Sequence, residues 1–372
     1  STIYYVLQVE ANAVVTVRPA SGNHVLLVTD NSAYVRVTGD GGTLFFDGVN
    51  VANDVVRVEG FEGSTGSSAD HLIFDHFQAA NADTGIGIYL RAGASDSSLL
   101  NLYIHDNKAG VIVRAVNTII EDSVISSNAN NGIYLLTEAT SAPNNGSYRR
   151  NRINNNGWTG IFLENGSGNA FANNLVHANT LAGIHFNDAD VSNNQIYYNS
   201  IYGQGQDGLL IGTGVTATTI SNTISFGNTG PNITNNAGTA TTQTNVLITD
   251  PQWVNASTGN FSLQPSSPAL NTGTCIAGYT EDFNNTVRPK PAGGACDIGA
   301  IERDSSSDPT TPRNLYVSAS GGNNSFPGTS AQPFATIQRC LDTWFVAGDH
   351  CIVRTGTYNE NLTISEKIAL ST

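Results

Sequence analysis

The central part of the chain repeats one pattern, a glycine followed by alternating apolar residues. It occurs at Gly87-Ile-Tyr-Leu-Arg, Gly110-Val-Ile-Val-Arg, Gly132-Ile-Tyr-Leu-Leu, Gly160-Ile-Phe-Leu-Glu, Gly183-Ile-His-Phe-Asn and Gly208-Leu-Leu-Ile-Gly. Successive glycines are 23, 22, 28, 23 and 25 residues apart, a spacing typical of solenoid repeats. Because alternation is the pattern of a strand with one buried face, each repeat predicts a short strand.

A second apolar series runs between these glycines, so each repeat holds at least two strands. Its members are Asp122-Ser-Val-Ile, Asn151-Arg-Ile, Asn174-Leu-Val, Asn194-Gln-Ile and Asn222-Thr-Ile. Asparagines follow this series at the expected turns, as Asn107, Asn128, Asn156, Asn179, Asn199 and Asn228. Stacked asparagines exchange amide hydrogen bonds and tolerate left-handed turns. We therefore expect a structural asparagine ladder at these positions.

These repeats resemble the right-handed parallel β-helix superfamily over roughly residues 1–250. Its members include pectate lyases, other polysaccharide enzymes, phage tailspikes and surface proteins without known activity. The resemblance implies an all-β fold, a right-handed parallel β-helix. It is specific for the fold and not for the chemistry.

Downstream of the repeats, Asp250-Pro-Gln-Trp-Val and Asp297-Ile-Gly-Ala-Ile-Glu302 resemble the closing segment of bacterial secreted β-helix proteins of the "choice-of-anchor" type. In that family a surface-attachment or sorting tail often follows. We therefore predict a β-helix over residues 1–250, a closing segment over 251–303, a linker over 304–312 and a C-terminal unit over 313–372.

The C-terminal unit resembles the beginning of another secreted β-helix. The stretch around Ile337-Gln-Arg-Cys-Leu predicts a short capping α-helix, and Val353 to Ile364 predicts a first rung. So short a unit buries little apolar surface, so we expect it to dock on a β-helix. About eleven rungs at ~4.8 Å exceed the reach of the linker, which favours docking on the next copy of the chain. The residues predicted for this head-to-tail contact are Tyr4, Val6, Ile337, Leu341, Tyr358, Leu362 and Ile364.

Two other interpretations of this unit stay open: the first rung of a further β-helix in a longer precursor, and the tail of a truncated chain. The chain begins in strand-like sequence, with no signal peptide and no methionine. This indicates a processed product or an excised segment.

Charge and cysteine content narrow the partners and the compartment. The formal net charge of −14 argues against nucleic acid, and against acidic polysaccharide except at a local basic patch. No apolar run is long enough to span a membrane. The cysteines pair locally, Cys275 with Cys296 and Cys340 with Cys351, without CxxC spacing. This favours disulfides over a metal site and predicts an extracellular or cell-surface location.

The second residue after each repeat glycine is expected to point outward. These positions form the apolar column Tyr89, Ile112, Tyr134, Phe162, His185 and Leu210. Such a column is unusual on a solvent face, and it has three explanations: a platform for sugar rings, a lateral contact between fibres, or a face covered by the loop from Thr137 to Tyr148. The fourth positions flank the column and are Arg91, Arg114, Leu136, Glu164 and Asn187.

Candidate catalytic groups are sparse. A lyase needs a cation to neutralise a uronate and a base to remove the adjacent proton. The nearest such set is Arg149, Arg150, Arg152, His177 and His185. The carboxyls nearest to an inverting glycosidase pair are Glu164, Asp188 and Asp190. Each of His71, His76 and His105 lies beside an aspartate, but strand alternation scatters their directions, so we predict no metal and no other cofactor.

Taken together, these features predict an extracellular structural protein without enzymatic activity. It would assemble with itself head to tail into a filament, sheath or surface adhesin. One alternative is a secreted polysaccharide lyase or glycoside hydrolase that uses the face formed by residues 149–190. Another is a carbohydrate-binding β-helix that uses the aromatic column.

Overall fold

The computed structural model describes residues 5–18, 24–28, 35–39, 43–49, 54–58, 73–75, 77–82, 85–137, 142–304, 312–343 and 349–362. Most of its strands are three to five residues long. In the first half of the stack they are β1 Tyr5–Gln8, β2 Val14–Val17, β3 His24–Val28, β4 Val35–Thr38, β5 Thr43–Asp47, β6 Asp54–Val58, β7 Ile73–Asp75, β8 Phe77–Ala80, β9 Ile86–Leu90, β10 Ser98–Leu100, β11 Tyr103–His105, β12 Ala109–Val113, β13 Ile119–Glu121, β14 Val124–Ser126 and β15 Ile133–Leu135.

The second half of the stack continues the same order of short strands. They are β16 Ser147–Arg149, β17 Arg152–Asn154, β18 Ile161–Leu163, β19 Gly166–Ser167, β20 Ala170–Ala172, β21 Leu175–His177, β22 Ile184–Phe186, β23 Val191–Ser192, β24 Gln195–Tyr197, β25 Ser200–Tyr202, β26 Leu209–Ile211, β27 Thr218–Ser221, β28 Ile224–Phe226, β29 Ile233–Asn235 and β30 Thr241–Thr244.

Three parallel sheets run along the stack. Sheet 1 has the order β1-β4-β7-β10-β13-β16-β20-β24-β27-β30, sheet 2 the order β2-β5-β8-β11-β14-β17-β21-β25-β28, and sheet 3 the order β3-β6-β9-β12-β15-β18-β22-β26-β29. Each turn of the chain, called a rung here, passes through sheets 1, 2 and 3 and pairs in parallel with the next rung. This confirms the predicted all-β parallel β-helix, with three strands per rung where the sequence indicated at least two.

The interior is filled by the residues that the alternation placed inward. Ile161 and Leu163 of β18 are fully buried, and Phe162 between them lies on the outer face. The inward side chains stack from rung to rung, as Tyr148 on Phe171 with ring centroids 4.9 Å apart. The repeat glycines follow from the same stacking. A Cβ at Gly132 would lie 2.7 Å from the carbonyl oxygen of Gly160 and 2.8 Å from the Cγ2 of Ile153.

Buried asparagines form ladders at the turns, but the assignment from sequence mixed two of them. The ladder before sheet 3 runs Asn107, Asn128, Asn156, Asn179, Gln204 and Asn228. Asn199 belongs instead to the ladder before sheet 2, which runs Asn151, Asn174 and Asn199. Likewise Asn194-Gln-Ile leads into sheet 1, because Gln195 starts β24. The error arose because an asparagine followed by an apolar strand occurs at more than one turn of each rung.

The closing segment lies along the outer face of sheet 2. It contains a 3₁₀ helix at Ala256–Thr258 between the antiparallel strands β31 Trp253–Asn255 and β32 Asn260–Leu263; another 3₁₀ helix, Gly238–Ala240, precedes β30. The apolar cluster that joins the segment to sheet 2 consists of Leu175, Ile224, Trp253, Phe261, Leu263, Ala269, Ile298 and Ala300. The predicted Cys275–Cys296 disulfide is present within the segment.

The C-terminal unit has a small apolar cluster of its own. The parallel strands β33 Asn314–Val317 and β34 His350–Val353 flank the helix α1 Ile337–Thr343. The buried members of the cluster are Leu315, Val317, Phe334 and Cys340. The predicted Cys340–Cys351 disulfide joins α1 to β34. The only helices in the described residues are α1 and the two 3₁₀ turns, and none of them has the length and apolar character needed to cross a membrane.

Candidate functional site

The apolar column predicted from the repeats is a continuous row on the outer face of sheet 3. Strand pairing places its members opposite one another in successive rungs: Arg57, Tyr89, Ile112, Tyr134, Phe162, His185, Leu210 and Thr234. The residues on either side of the central members point into the core, as Ile133 and Leu135 do beside Tyr134. Alternation along each strand therefore fixes the direction of every side chain in the row.

The middle of the row is aromatic. The rings of Tyr134 and Phe162 are stacked, with centroids 5.2 Å apart and planes 19° apart. The next ring, His185, lies 4.8 Å from Phe162. These side chains are half-buried, so part of each ring faces outward. Together they form a ladder of rings that runs along the axis of the β-helix, with the ring faces turned towards one another and the ring edges outward.

A cavity of about 320 Å³ lies against the row, and we call the cavity and the row together the groove. The cavity is lined by Asp54, Arg57, Gly85, Ile86, Tyr89, Lys108, Ala109, Ile112, Asn130, Asn131, Tyr134 and Trp158. Its side wall consists of turn residues that stack by main-chain hydrogen bonds. The Asn130 amide donates to the Lys108 carbonyl, and the Trp158 amide donates to the Asn130 carbonyl. Trp158 is half exposed, at 50%. The groove thus has an apolar floor and a wall that carries polar and aromatic groups, as small-molecule sites do.

Cations gather at the end of the groove near β6, called here the upper end. The guanidinium carbons of Arg57 and Arg114 lie 5.0 and 5.4 Å from the ring centroid of Tyr89. Tyr89 itself is only 8% exposed. Arg57 also donates a hydrogen bond of 3.0 Å to the buried carboxylate of Asp54, which holds it in place. The exposed Lys108 adds a further cation at the wall.

Carboxylates lie at the opposite, lower end. The Tyr134 hydroxyl donates a short hydrogen bond to Glu164. Burial and this carboxylate raise the pKa of Tyr134, so its phenol stays protonated. Burial lowers the pKa of His185, although Asp207 opposes the shift. Asp207 accepts a hydrogen bond of 2.7 Å from Thr234, the last member of the row.

The flanking positions differ from one another in their contacts. Arg114 lies over Tyr89 and Glu164 binds Tyr134, so both belong to the groove. The carbonyl of Arg91 accepts a hydrogen bond from the Ala94 amide, at a turn that leaves sheet 3. For the loop that was proposed to cover the column, residues 138–141 lie outside the described residues. Its end forms β16 in sheet 1.

The structure does not assemble the predicted lyase set. Arg149 forms an ion pair with Glu121 on sheet 1, and Arg150 pairs with Glu121 and Asp122 at the next turn. Arg152 and His177 lie on sheet 2 beneath the closing segment, where Arg152 donates to the Gly259 carbonyl. His185 lies alone of the five on sheet 3. The set was close in sequence, but its residues lie in two successive rungs and are distributed over three different sheets and the turns between them.

The other candidate ligands and acids have structural partners. Asp188 accepts a hydrogen bond from the backbone amide of Asp190 and thereby caps an exposed turn. His105 binds Asp106, with 2.6 Å between Nδ1 and Oδ2, while His71 and His76 lie outside the described residues. Within the described ranges, no group of three or more histidine, cysteine or acidic side chains is arranged to hold a metal.

Sequence reasoning missed three groove residues, namely Arg57, Lys108 and Trp158. Lys108 and Trp158 follow the ladder asparagines Asn107 and Asn156 by one and two residues. Positions one or two residues after a ladder asparagine therefore contribute to the groove wall. Arg57 precedes the first glycine repeat, so the repeat pattern gave no register for it.

Comparison with known proteins supports the fold. Residues 84–247 match the family model described as right handed beta helix region. The structure is similar to that of pectate lyase Pel9A, with a TM-score of 0.58 and 13% identity over 80% of this chain and 88% of that chain. It also matches the A-module of the Azotobacter vinelandii mannuronan C-5 epimerase AlgE4, with a TM-score of 0.47 and 15% identity over 67% of this chain and 76% of that chain.

A search of the curated proteins found no match to the sequence. At 13% identity, the match to pectate lyase Pel9A bears on the β-helix fold and not on its chemistry. The more specific likeness to the "choice-of-anchor" type stays a prediction.

Proposed function

We propose that the protein binds an extended polysaccharide along the groove of sheet 3, outside the cell. One observation carries this proposal: a row of stacked aromatic rings runs parallel to the helix axis beside a cavity with polar walls. The outward edges of these rings offer an apolar surface to the C–H groups of sugar rings, while the Tyr134–Glu164 pair and Asn130 offer partners for hydroxyl groups.

Two further points support a polysaccharide as the ligand class to test first. The cavity is lined by residues of four successive rungs, those of β6, β9, β12 and β15, so a linear chain bound there would contact several rungs at once. The shared fold with pectate lyase Pel9A indicates that a stack of this kind is suited to such ligands. The two disulfides are consistent with an extracellular location.

We infer binding rather than cleavage from the protonation of Tyr134 and from the positions of the candidate catalytic side chains. A lyase base must accept a proton from the sugar, whereas burial, together with the Glu164 carboxylate, raises the pKa of Tyr134 and so favours its protonated form. The arginines and histidines predicted for lyase chemistry are on separate faces or under the closing segment. Polysaccharide cleavage is therefore the alternative that the binding experiment has to check.

The test is titration calorimetry with a panel of neutral and acidic oligosaccharides. We expect Phe162→Ala to weaken binding at least about tenfold because the central ring is lost. Tyr103→Ala is the matched control, since Tyr103 is an aromatic residue, 41% exposed, on the outer face of sheet 2. Equal affinities of the two variants would refute the groove as the site. Appearance of new chain ends during the titration would show cleavage.

Head-to-tail assembly is a second candidate function, and it is favoured by exposed strand edges. Among the described strands, β34 pairs only with β33 and β1 pairs only with β4. Both edges are parallel and carry exposed apolar side chains, Val353 at 44% and Val6 at 55%. Leu362 is exposed, whereas Ile337 and Tyr358 pack on the unit's own cluster. Leu341 is half-buried, and Tyr4 and Ile364 lie outside the described residues.

The geometry changes one step of the sequence argument for this assembly. The closing segment returns along the stack, because Glu302 binds Arg288 and Arg288 contacts Asn173 after the strand β20. From there about six rungs at ~4.8 Å separate Glu302 from the first rung, a span comparable with the length of the extended linker. Docking within one chain therefore has to be tested beside docking on a second copy.

Light scattering of the full chain and of Val6→Lys distinguishes these cases. Docking on a second copy predicts mass that grows with concentration and falls to the monomer in Val6→Lys. Docking within the chain predicts a monomer in both, with loss of amide protection at β34 in the variant. Monomers with an unprotected β34 in both proteins would contradict a capping role.

A further inference from the structure

We propose that Ser126 and His105, on the outer face of sheet 2, form a second site that hydrolyses short acyl esters. The two sites lie on different sheets, so this proposal does not depend on the groove of sheet 3. It starts from two buried polar atoms, Nε2 of His105 and Oδ1 of Asn154, which have no hydrogen-bond partner among the described residues. Buried polar atoms are rarely left in this state, and catalytic groups are one of the exceptions.

Strand pairing places these two side chains on either side of one serine. His105 of β11 is opposite Ser126 of β14, and Ser126 is opposite Asn154 of β17. The residue before each of the three is a buried isoleucine of the core, so all three side chains point outward. Successive rungs are ~4.8 Å apart. The three side chains therefore form one short column, with the serine in its middle.

His105 is oriented as a base. Its Nδ1 lies 2.6 Å from Oδ2 of Asp106, and a carboxylate accepts only from a nitrogen that carries hydrogen. The neutral imidazole therefore keeps its lone pair on Nε2. The neighbours of His105 in the column are Ala80 and Ser126, and of these only Ser126 has a side-chain donor. The hydrogen bond between Ser126 and Nε2 is not formed in this structure, as is common for catalytic contacts before substrate binds.

Ser126, His105 and Asp106 thus have the roles of nucleophile, general base and the carboxylate that orients the base. Oγ of Ser126 attacks the ester carbonyl carbon, and its proton passes to Nε2. The bond to the alcohol then breaks, and the alcohol leaves with that proton. Water attacks the acyl-serine and gives a proton to Nε2, and this proton returns to Oγ as the carboxylic acid leaves. Asn154, on the next rung, carries an amide N–H group that would stabilise the oxyanion.

The surroundings of Ser126 point to a small acyl group. The serine is only 5% exposed and lies in a notch between the larger side chains of His105 and Asn154. Val124, two residues earlier on the outer face of the same strand, is half-buried and offers an apolar contact for a methyl group. Such a notch admits an acetyl group and leaves the alcohol part of the ester in solvent. The substrate class is therefore an acetylated alcohol, which includes an acetylated sugar.

The test uses the full chain with p-nitrophenyl acetate and, separately, with a fluorophosphonate probe. We expect nitrophenol release that saturates with substrate, and a probe adduct that mass spectrometry maps to Ser126. Ser126→Ala should abolish both signals, and His105→Gln should lower kcat about 100-fold or more. Ser98→Ala is the matched control, because Ser98 is a half-buried serine on the outer face of sheet 1 and should leave both signals unchanged.

Asn154→Ala separates chemistry from folding. It should lower kcat about 100-fold with KM and thermal unfolding nearly unchanged, because it removes only the donor to the oxyanion. Equal turnover in Ser126→Ala and the wild type overturns the site, and so does a probe adduct at another residue. Release that needs His105 but not Ser126 shows direct attack by the imidazole and also overturns it. Absence of both turnover and adduct in the wild type overturns it as well, and leaves the oligosaccharide titration as the separate test of the groove.

Discussion

At the scale of single residues, buried amides connect one rung to the next. Asn156 illustrates the arrangement: its side-chain oxygen accepts from the backbone and side chain of Asn128, and its Nδ2 donates to the Ile125 carbonyl and to Asn179. Every polar atom of the side chain is therefore used in a site without water access. Such a residue stabilises the stack because its loss leaves main-chain groups buried without partners.

Replacing Asn156 with alanine should therefore lower the free energy of unfolding by about 2–4 kcal/mol, since the Asn128 amide and the Ile125 carbonyl lose their partners. Urea unfolding followed by circular dichroism measures the change. Gln206→Ala is the control, as Gln206 is exposed at a neighbouring turn and should shift stability by less than about 0.5 kcal/mol. Similar losses in the two variants would contradict a ladder of this strength.

His177 gives the stack a dependence on pH. Its ring packs on Phe261, and burial together with the charge of Arg152 lowers its pKa to about 4, against 6.5 for the unperturbed side chain. Between pH 6.5 and pH 4, His177 binds a proton in the unfolded chain but stays neutral in the folded chain. The contribution of His177 is thus fully present above pH 6.5 and is lost as the pH falls towards 4.

We expect the stability of the wild type to fall by on the order of 2 kcal/mol more than that of His177→Gln between pH 7.5 and pH 4.5. The difference between the two proteins is the informative quantity, because burial raises the pKa of Asp297 to about 6 and this acts in the opposite direction. If the free energy of unfolding changed with pH by the same amount in the wild type and in His177→Gln, His177 would not be the titrating group.

At the scale of elements, the closing segment is held to sheet 2 by a buried ion pair as well as by its apolar cluster. Arg288 donates to Glu302 at 2.7 Å, and both side chains are almost completely buried. Arg288 also donates to the Gly299 carbonyl, while Glu302 accepts from the amides of Lys290 and Asp297. The network joins residues within 288–302, and the apolar cluster packs Ile298 and Ala300 with Trp253 and Phe261, so the segment should dock as one unit.

Arg288→Met should destabilise the docked segment by about 3–5 kcal/mol, because it leaves the Glu302 charge buried without its partner. Hydrogen exchange should show loss of protection in β31 and β32 before the sheets of the stack open. The double variant Arg288→Met with Glu302→Leu removes the stranded charge and should recover part of the loss. A double variant as unstable as the single one would indicate that the pair acts through shape and not charge.

At the scale of the whole molecule, the apolar cluster of the C-terminal unit is separate from the core of the stack. Its few buried side chains supply little stability, and the Cys340–Cys351 disulfide compensates by restricting the unfolded chain. The stack, in contrast, has a continuous core from Val9 to Ile220. We therefore expect the two parts to unfold independently.

Replacing both Cys340 and Cys351 with serine should unfold residues 312–362 under conditions where the stack is unchanged, with a loss of about 2–4 kcal/mol in the unit. Limited proteolysis would then trim the chain near the linker and leave a resistant β-helix. Replacing Cys275 and Cys296 instead is the comparison, since that bridge lies in the closing segment. Simultaneous loss of the stack with the C-terminal unit would disprove their independence.

Local pattern was enough to predict the β-helix, its inward and outward residues and both disulfides. The alternation of inward and outward residues in strands such as Ile161–Leu163 depends only on neighbouring residues. The spacing of the glycines indicates where each new rung begins. The aromatic column was therefore predicted residue by residue. The assignment failed where two turns carry the same local signal, as for Asn199 and Gln204, because sequence alone does not say which turn a ladder asparagine occupies.

What only the tertiary structure decided is how distant segments meet on the surface. The sequence by itself determined the stack, because each rung is specified by short-range periodicity and repeats its neighbour. It did not determine that the closing segment covers Arg152 and His177, nor that Arg57 and Arg114 both lie over the ring of Tyr89. These groupings depend on register between rungs and on packing between segments more than a hundred residues apart, and no local pattern records either.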